Sequence, residues 1–144
     1  MGKGEKLEET LYYLIEKTNK VARRYSQLRF SANNIDLTVD QWLVLKKISD
    51  SKTLTQIELA TALFKDRASI TRILDLLLNK KLVRKDQGVD KRVYHLSLTP
   101  SGENLRERAL RIVKDARKKG VEGLSDKEQL TLRSTLQQMI ENFE

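Results

Sequence analysis

Between Asp66 and Thr99 the chain changes its hydrophobic period, and that change limits what it can fold into. Over RASITRILDLLLNK, Ile70, Ile73, Leu74 and Leu77 recur at i, i+3, i+4 and i+7, the spacing of one buried helical face. Two β-prone runs, 82–86 and 93–99, follow at once and flank the charged, glycine-bearing tip DQGVDKR. In the second run Tyr94, Leu96 and Leu98 alternate with Val93, His95, Ser97 and Thr99. One strand face is therefore expected to be buried, with His95 facing solvent. A helix feeding directly into a single hairpin, in a chain otherwise patterned as helices, points to a mainly α domain.

The remaining segments read as helices with recognisable starts. Leu7, Leu11, Leu14, Ile15, Thr18, Val21, Ala22, Tyr25 and Leu28 step by three and four, predicting one long first helix before the polar linker SANNID. In LTVDQ, Thr38 and Gln41 have capping-box spacing, and Trp42, Leu43, Leu45 and Ile48 supply the apolar face behind them. Thr55 and Glu58 repeat that spacing for a short helix through Leu63, and Asp66 caps the next. Thr99 followed by the only proline, Pro100, opens a fifth helix carrying Leu105, Ala109, Ile112, Val113 and Ala116. After KKGVEGL, Ser125 and Glu128 start a sixth with Leu132, Leu136, Met139, Ile140 and Phe143 in one stripe. The expected order is α-α-α-α-β-β-α-α.

Composition narrows the chemistry. The 144 residues suit one domain with a real core, and 28 Lys+Arg against 20 Asp+Glu give a net charge of +8, a surface that attracts polyanions. With no cysteine, disulfides, thiolate metal sites and thiol-based sensing are excluded, and His95 is the only histidine. No Gly-rich phosphate loop, nucleophile elbow or metal-ligand cluster is present, so neither an enzyme nor a cofactor is expected. The N-terminus lacks the apolar region of a signal peptide, and no run reaches membrane-spanning length; a cytoplasmic chain with no membrane partner is expected.

The short helices 55–63 and 66–80, with the basic hairpin behind them, make a helix-turn-helix with a wing. A helix fits the DNA major groove, and side chains near its N-terminus reach base edges. Opposite the apolar stripe of 66–80 lie Arg67, Ala68, Ser69, Thr71, Arg72 and Asp75. Arginine pairs bidentately with guanine, Ser and Thr read bases or phosphates, and methyl groups touch thymine. Residues 52–100 hold ten cations against five anions, so the positive surplus concentrates on this segment. In the wing, Arg92 is the expected minor-groove residue, with Lys91 and Arg84 on flanking phosphates and Asp90 steadying the tip. Thr55, Gln56, Lys65 and Lys85 complete the expected DNA-binding set.

From LTQIELATALF to LTPSGENL the sequence resembles the MarR family of transcriptional regulators. The marks are the "LT…LA" helix start, S-x-T-R-x-L-D-x-L at Ser69–Leu77, D-x-R at Asp90 and Arg92, and L-T-x-x-G at Leu98–Gly102. The resemblance implies a winged helix-turn-helix (37–100) between terminal dimerisation segments (1–36 and 101–144). It also implies a homodimer binding a pseudo-palindromic double-stranded operator as a regulator, read here as a repressor, released by a small ligand. Phe64 stands where a turn glycine is usual, and Lys81 where glycine commonly closes the reading helix, so each must bear any positive φ itself.

A homodimer is also expected from the residues alone. The first, fifth and sixth helices each carry an apolar stripe outside the winged segment, and two half-sites about 34 Å apart favour a two-chain bundle. Tyr25, Arg29 and Trp42 are read either as a cleft for a small aromatic or anionic effector or as plain core packing. A winged-helix module for protein–protein contact is the alternative to DNA reading.

Overall fold

The structure, a computed structural model, describes residues 4–51, 54–90 and 94–144. Six helices and one antiparallel hairpin follow in order: α1 (Leu11–Ala32), α2 (Val39–Asp50), α3 (Gln56–Ala62), α4 (Arg67–Asn79), β1 (Val83–Gln87), β2 (Tyr94–Leu98), α5 (Pro100–Gly120) and α6 (Asp126–Phe143). This is the expected order.

The helix starts follow the caps written in the sequence. The Thr38 hydroxyl accepts the Gln41 N–H at 3.1 Å, and the Gln41 side chain accepts the Thr38 N–H at 3.0 Å. Ser125 and Glu128 make the same reciprocal pair, both at 3.1 Å. At Thr55 only half of the box forms, its hydroxyl accepting the Glu58 N–H at 3.2 Å. The first helix begins later than expected. Leu7–Glu9 is a separate 3-10 turn and Thr10 is extended, its hydroxyl donating back to the Leu7 carbonyl at 2.8 Å.

Three helices end in one way. After α1, α3 and α4 the chain passes through Asn34, Phe64 and Lys81, each at φ between 57° and 59°. The next amide in each case, that of Ile35, Lys65 or Leu82, bonds back to the carbonyl of Phe30, Ala60 or Leu77 at 2.9–3.0 Å. These are Schellman closures, and they satisfy carbonyls that a helix end otherwise leaves bare. The left-handed conformation costs a residue with a β-carbon roughly 1–2 kcal/mol.

The core fills the space between α2, α4, α5 and the base of the hairpin. Trp42, Val44, Leu45 and Ile48 of α2 meet Ile70, Leu74 and Leu77 of α4, Val83 and Leu96 of the strands, and Ala109, Ile112 and Val113 of α5. The hairpin register pairs Val83 with Leu98, Lys85 with Leu96 and Gln87 with Tyr94. The Leu96 N–H also donates to the Leu54 carbonyl at 3.2 Å, tying the wing to the entry of α3. His95 departs from expectation: its Nδ1 is buried, with no hydrogen-bond partner among the described residues. The strand is covered on both faces near its root, so alternation alone misplaced that ring.

Gly102 packs where no side chain fits. A β-carbon there would lie 2.0 Å from the Leu82 carbonyl oxygen, which already accepts the Thr99 N–H at 3.1 Å. The chain therefore needs glycine three residues into its Thr-Pro helix start.

Candidate nucleic-acid interface

The reading surface is built on α4. Asp66 caps it by accepting the Ser69 N–H at 2.7 Å, which fixes where the helix begins. That backbone bond, with the Ser69 hydroxyl and the nearby Arg72 and Lys65 charges, holds the Asp66 carboxyl below the usual carboxylate range. The buried stripe of Ile70, Leu74 and Leu77 turns the opposite face outward, leaving Arg67, Ala68, Thr71 and Arg72 exposed and Ser69 half-buried beside them.

α3 is pinned to this face by side chains expected to touch DNA. The Gln56 amide donates to the Thr71 hydroxyl at 2.7 Å, and that hydroxyl donates to the Arg67 carbonyl at 2.9 Å. Arg72 donates to the Ser69 hydroxyl at 3.2 Å, which holds its guanidinium over the first turns of the helix. Gln56, Thr71 and Arg67 are thus linked in one set and Ser69 with Arg72 in another, with Thr55 capping α3.

Lys65 lies elsewhere. Its ammonium sits 3.1 Å from Asp40 on α2, and the same carboxylate is bound by Arg23 of α1. Burial raises the Asp40 pKa, but the bonds from Arg23 and Lys65 outweigh it and leave the carboxyl below its ordinary value. Lys65 is thereby drawn toward the body of the molecule and away from the outer face of α4. At the other end of α4, Lys80 reaches Asp36 at 2.9 Å.

The wing divides its charges between two faces. Lys85 shares a face with Leu96, and its ammonium sits 5.8 Å from the centre of the Tyr94 ring. Arg84 shares the other face with Ser97, 3.9 Å from Asp86, whose carboxylate accepts the Ser97 hydroxyl at 3.1 Å. Asp90 is exposed at the tip. Arg92, expected in the minor groove, and Lys91, expected on a flanking phosphate, lie outside the described residues.

The three residues read either as an effector cleft or as core packing are placed as follows. Trp42 is 2% exposed and its indole N–H points to the Arg106 carbonyl at 3.4 Å, so it is a core residue. The ammonium of Lys119 lies 5.6 Å from the centre of the half-buried Tyr25 ring, while Arg29 is exposed on α1. Three surface cavities are lined by residues of α6, of α2 with α3, and of α5 with α6. Sequence reasoning missed the Arg23–Asp40–Lys65 network and the outward setting of Phe64. The signal for Phe64 was its place at a glycine position.

Two packed helices with a tight turn, an exposed reading face and a hairpin beside it define a winged helix-turn-helix protein. A model of the MarR family matches residues 35–93. The chain is 33% identical over 106 residues to the uncharacterized HTH-type transcriptional regulator YhbI of Bacillus subtilis, an alignment spanning 73% of this chain and 65% of that protein. Wild-type MarR from E. coli in its apo form is similar at a TM-score of 0.77 and 29% identity, over 90% of this chain and 96% of that one. A mutant MarR from E. coli complexed with operator DNA is similar at a TM-score of 0.83 and 28% identity, over 94% and 99% of the two chains. The S. aureus MepR–DNA complex shares the fold, at a TM-score of 0.85 and 23% identity over 96% of this chain and all of that one. The match to the MarR family model is thus confined to the winged helix-turn-helix segment, while the likeness to solved MarR structures extends over nearly the whole chain.

Proposed function

We propose that this chain is a sequence-specific double-stranded DNA-binding transcriptional regulator, a repressor, that works in the cytoplasm as a homodimer on a pseudo-palindromic operator. In this reading α4 enters the major groove and the wing, residues 84–93, tracks the adjacent minor groove. The observation that carries it is the outward face of α4. Arg67, Ala68, Thr71 and Arg72 are exposed together, fixed by the Asp66 cap and the Gln56–Thr71 bond, and they bury nothing in their own chain. The likeness to a MarR complexed with operator DNA extends over nearly the whole chain and supports the same use of this face. No helix among the described residues is long and apolar enough to cross a membrane.

The terminal helices support the dimer. The α1 stripe of Leu11, Leu14, Ile15, Val21 and Leu28 is exposed in the single chain, as is Leu7 in the turn before it, and α6 has no buried residue. Faces this apolar call for a partner, and a second copy brings two α4 helices to two half-sites. Release by a small ligand is part of the same reading.

A fluorescence-anisotropy titration with random duplex DNA at two salt concentrations tests the reading. Binding that weakens steeply with added salt is expected from released counterions. No binding at low salt overturns it and leaves the winged-helix protein-contact reading.

A further inference from the structure

We propose that Phe64 reads DNA directly, by laying its ring against the C5-methyl group of a thymine at the edge of the major groove that receives α4. The inference rests on the DNA-binding reading above and adds a specificity-determining side chain to it.

Phe64 is 96% exposed and makes the turn between α3 and α4 at φ 57°. A bulky residue with positive φ is a genuine outlier, and here its ring buries nothing in its own chain. The two comparable positions are different in kind. Asn34 tolerates the left-handed region through its short polar side chain, and Lys81 keeps a charged side chain in water. Neither holds an exposed aromatic ring in a conformation suited to glycine. The turn itself does not need the ring, because its closure is made by backbone alone: Phe64 N–H to the Thr61 carbonyl at 3.3 Å and Lys65 N–H to the Ala60 carbonyl at 3.0 Å.

Position says what the ring meets. Lys65 points inward to Asp40, and Asp66 starts α4. Phe64 therefore faces outward two residues before the helix cap, its α-carbon at most about 11 Å from that of Arg67 along even a fully extended chain. Arg67, Ala68 and Thr71, exposed within seven residues of it in sequence, suit phosphates and base edges. Phenylalanine has no donor or acceptor, so the groove feature left for it is apolar, and the thymine methyl is the apolar group a base pair displays there. The exposed dimer faces lie on α1 and α6, not on this turn.

The test uses the full chain. Sites are selected from a random duplex pool by the wild-type protein and by Phe64→Gly. Each is then titrated on the selected site with thymine, or with deoxyuridine lacking the methyl, at each thymine of a half-site. The wild-type chain is expected to lose about four- to tenfold in affinity at one substituted position, the effect of an unburied methyl with its contacts. Phe64→Gly is expected to unfold at higher urea yet bind the thymine site weaker by a similar factor, and to be indifferent to the substitution. Phe64→Leu, which keeps the turn as it is, is expected to retain part of the discrimination. A wild-type chain indifferent to deoxyuridine at every position overturns the proposal without any variant, and so does a penalty of equal size in Phe64→Gly. Failure of the wild-type chain to bind any duplex at low salt is a separate outcome that removes the DNA reading itself.

Discussion

Arg72 and Gly102 show two ways in which a single residue is committed. Arg72 is exposed on the third side of the Asp66–Ser69 cap, and its bond to the Ser69 hydroxyl limits where the guanidinium can go. A side chain held this way loses less freedom on meeting a guanine edge, which is how pre-ordering gives affinity. Arg72→Ala is expected to cost about 1–3 kcal/mol of operator binding and to relax preference at one base pair per half-site. Site selection with the variant checks this, and an unchanged preference would reduce Arg72 to a phosphate contact. Gly102 is committed by exclusion, since a β-carbon would sit 2.0 Å from the Leu82 oxygen. Gly102→Ala must push α5 off the hairpin root, and a loss of roughly 2–4 kcal/mol is expected in urea unfolding. The glycine was visible in the sequence as part of a motif. Its reason was not, because the carbonyl it faces lies twenty residues earlier and arrives only through the fold.

Elements were legible wherever the signal was local. Thr38 with Gln41, Ser125 with Glu128, and Thr99 with Pro100 each begin a helix at the expected place, because a cap is settled within four residues. The stripe of α4 was likewise read correctly, and its outward face followed from it. What the local pattern left hidden depends on partners far away in sequence. Lys65 reads as a DNA contact from its neighbours, yet Asp40, twenty-five residues earlier, holds it together with Arg23. His95 reads as outward from strand alternation, yet packing at the wing root buries its Nδ1. The Arg23–Asp40–Lys65 network joins α1, α2 and the α3–α4 turn, so its charge state bears on stability. The folded-state pKa of Asp40 is depressed, hence the contribution is present above the unfolded value and fades as pH falls through the folded one. Asp40→Asn is accordingly expected to unfold at lower urea than the wild type near pH 7, with the gap closing as pH falls below the ordinary aspartate range of about 4. A gap independent of pH would place the loss in packing and not in the carboxylate.

At the scale of the whole molecule, the single chain is an incomplete object. The central winged region carries most of the buried apolar residues, while α1 and α6 present Leu11, Leu28, Leu132 and Ile140 to solvent, each at least half exposed. Within the chain α6 meets α1 through the edge-on contact of Tyr12 with Phe143, their ring centres 6.4 Å apart. A helix of 18 residues with no buried position gains little from its own chain, since helix stability comes mostly from packing of an apolar face. In the proposed homodimer, association of two copies supplies that packing and also sets the distance between the two α4 helices, which must match half-sites one DNA turn apart. Assembly and operator affinity are therefore coupled. Ile140→Asp puts a charge into the α6 stripe at a site half exposed in the monomer, so the winged region should keep its fold while the dimer weakens. Light scattering at micromolar concentration is expected to give a mass near the 16.7 kDa of one chain for the variant and twice that for the wild type. Operator affinity should fall with the mass, whereas the weaker, salt-dependent binding to a single half-site should persist. A wild-type chain that stays monomeric at that concentration would break the link between the exposed stripes and two-fold recognition, leaving those faces for a different partner.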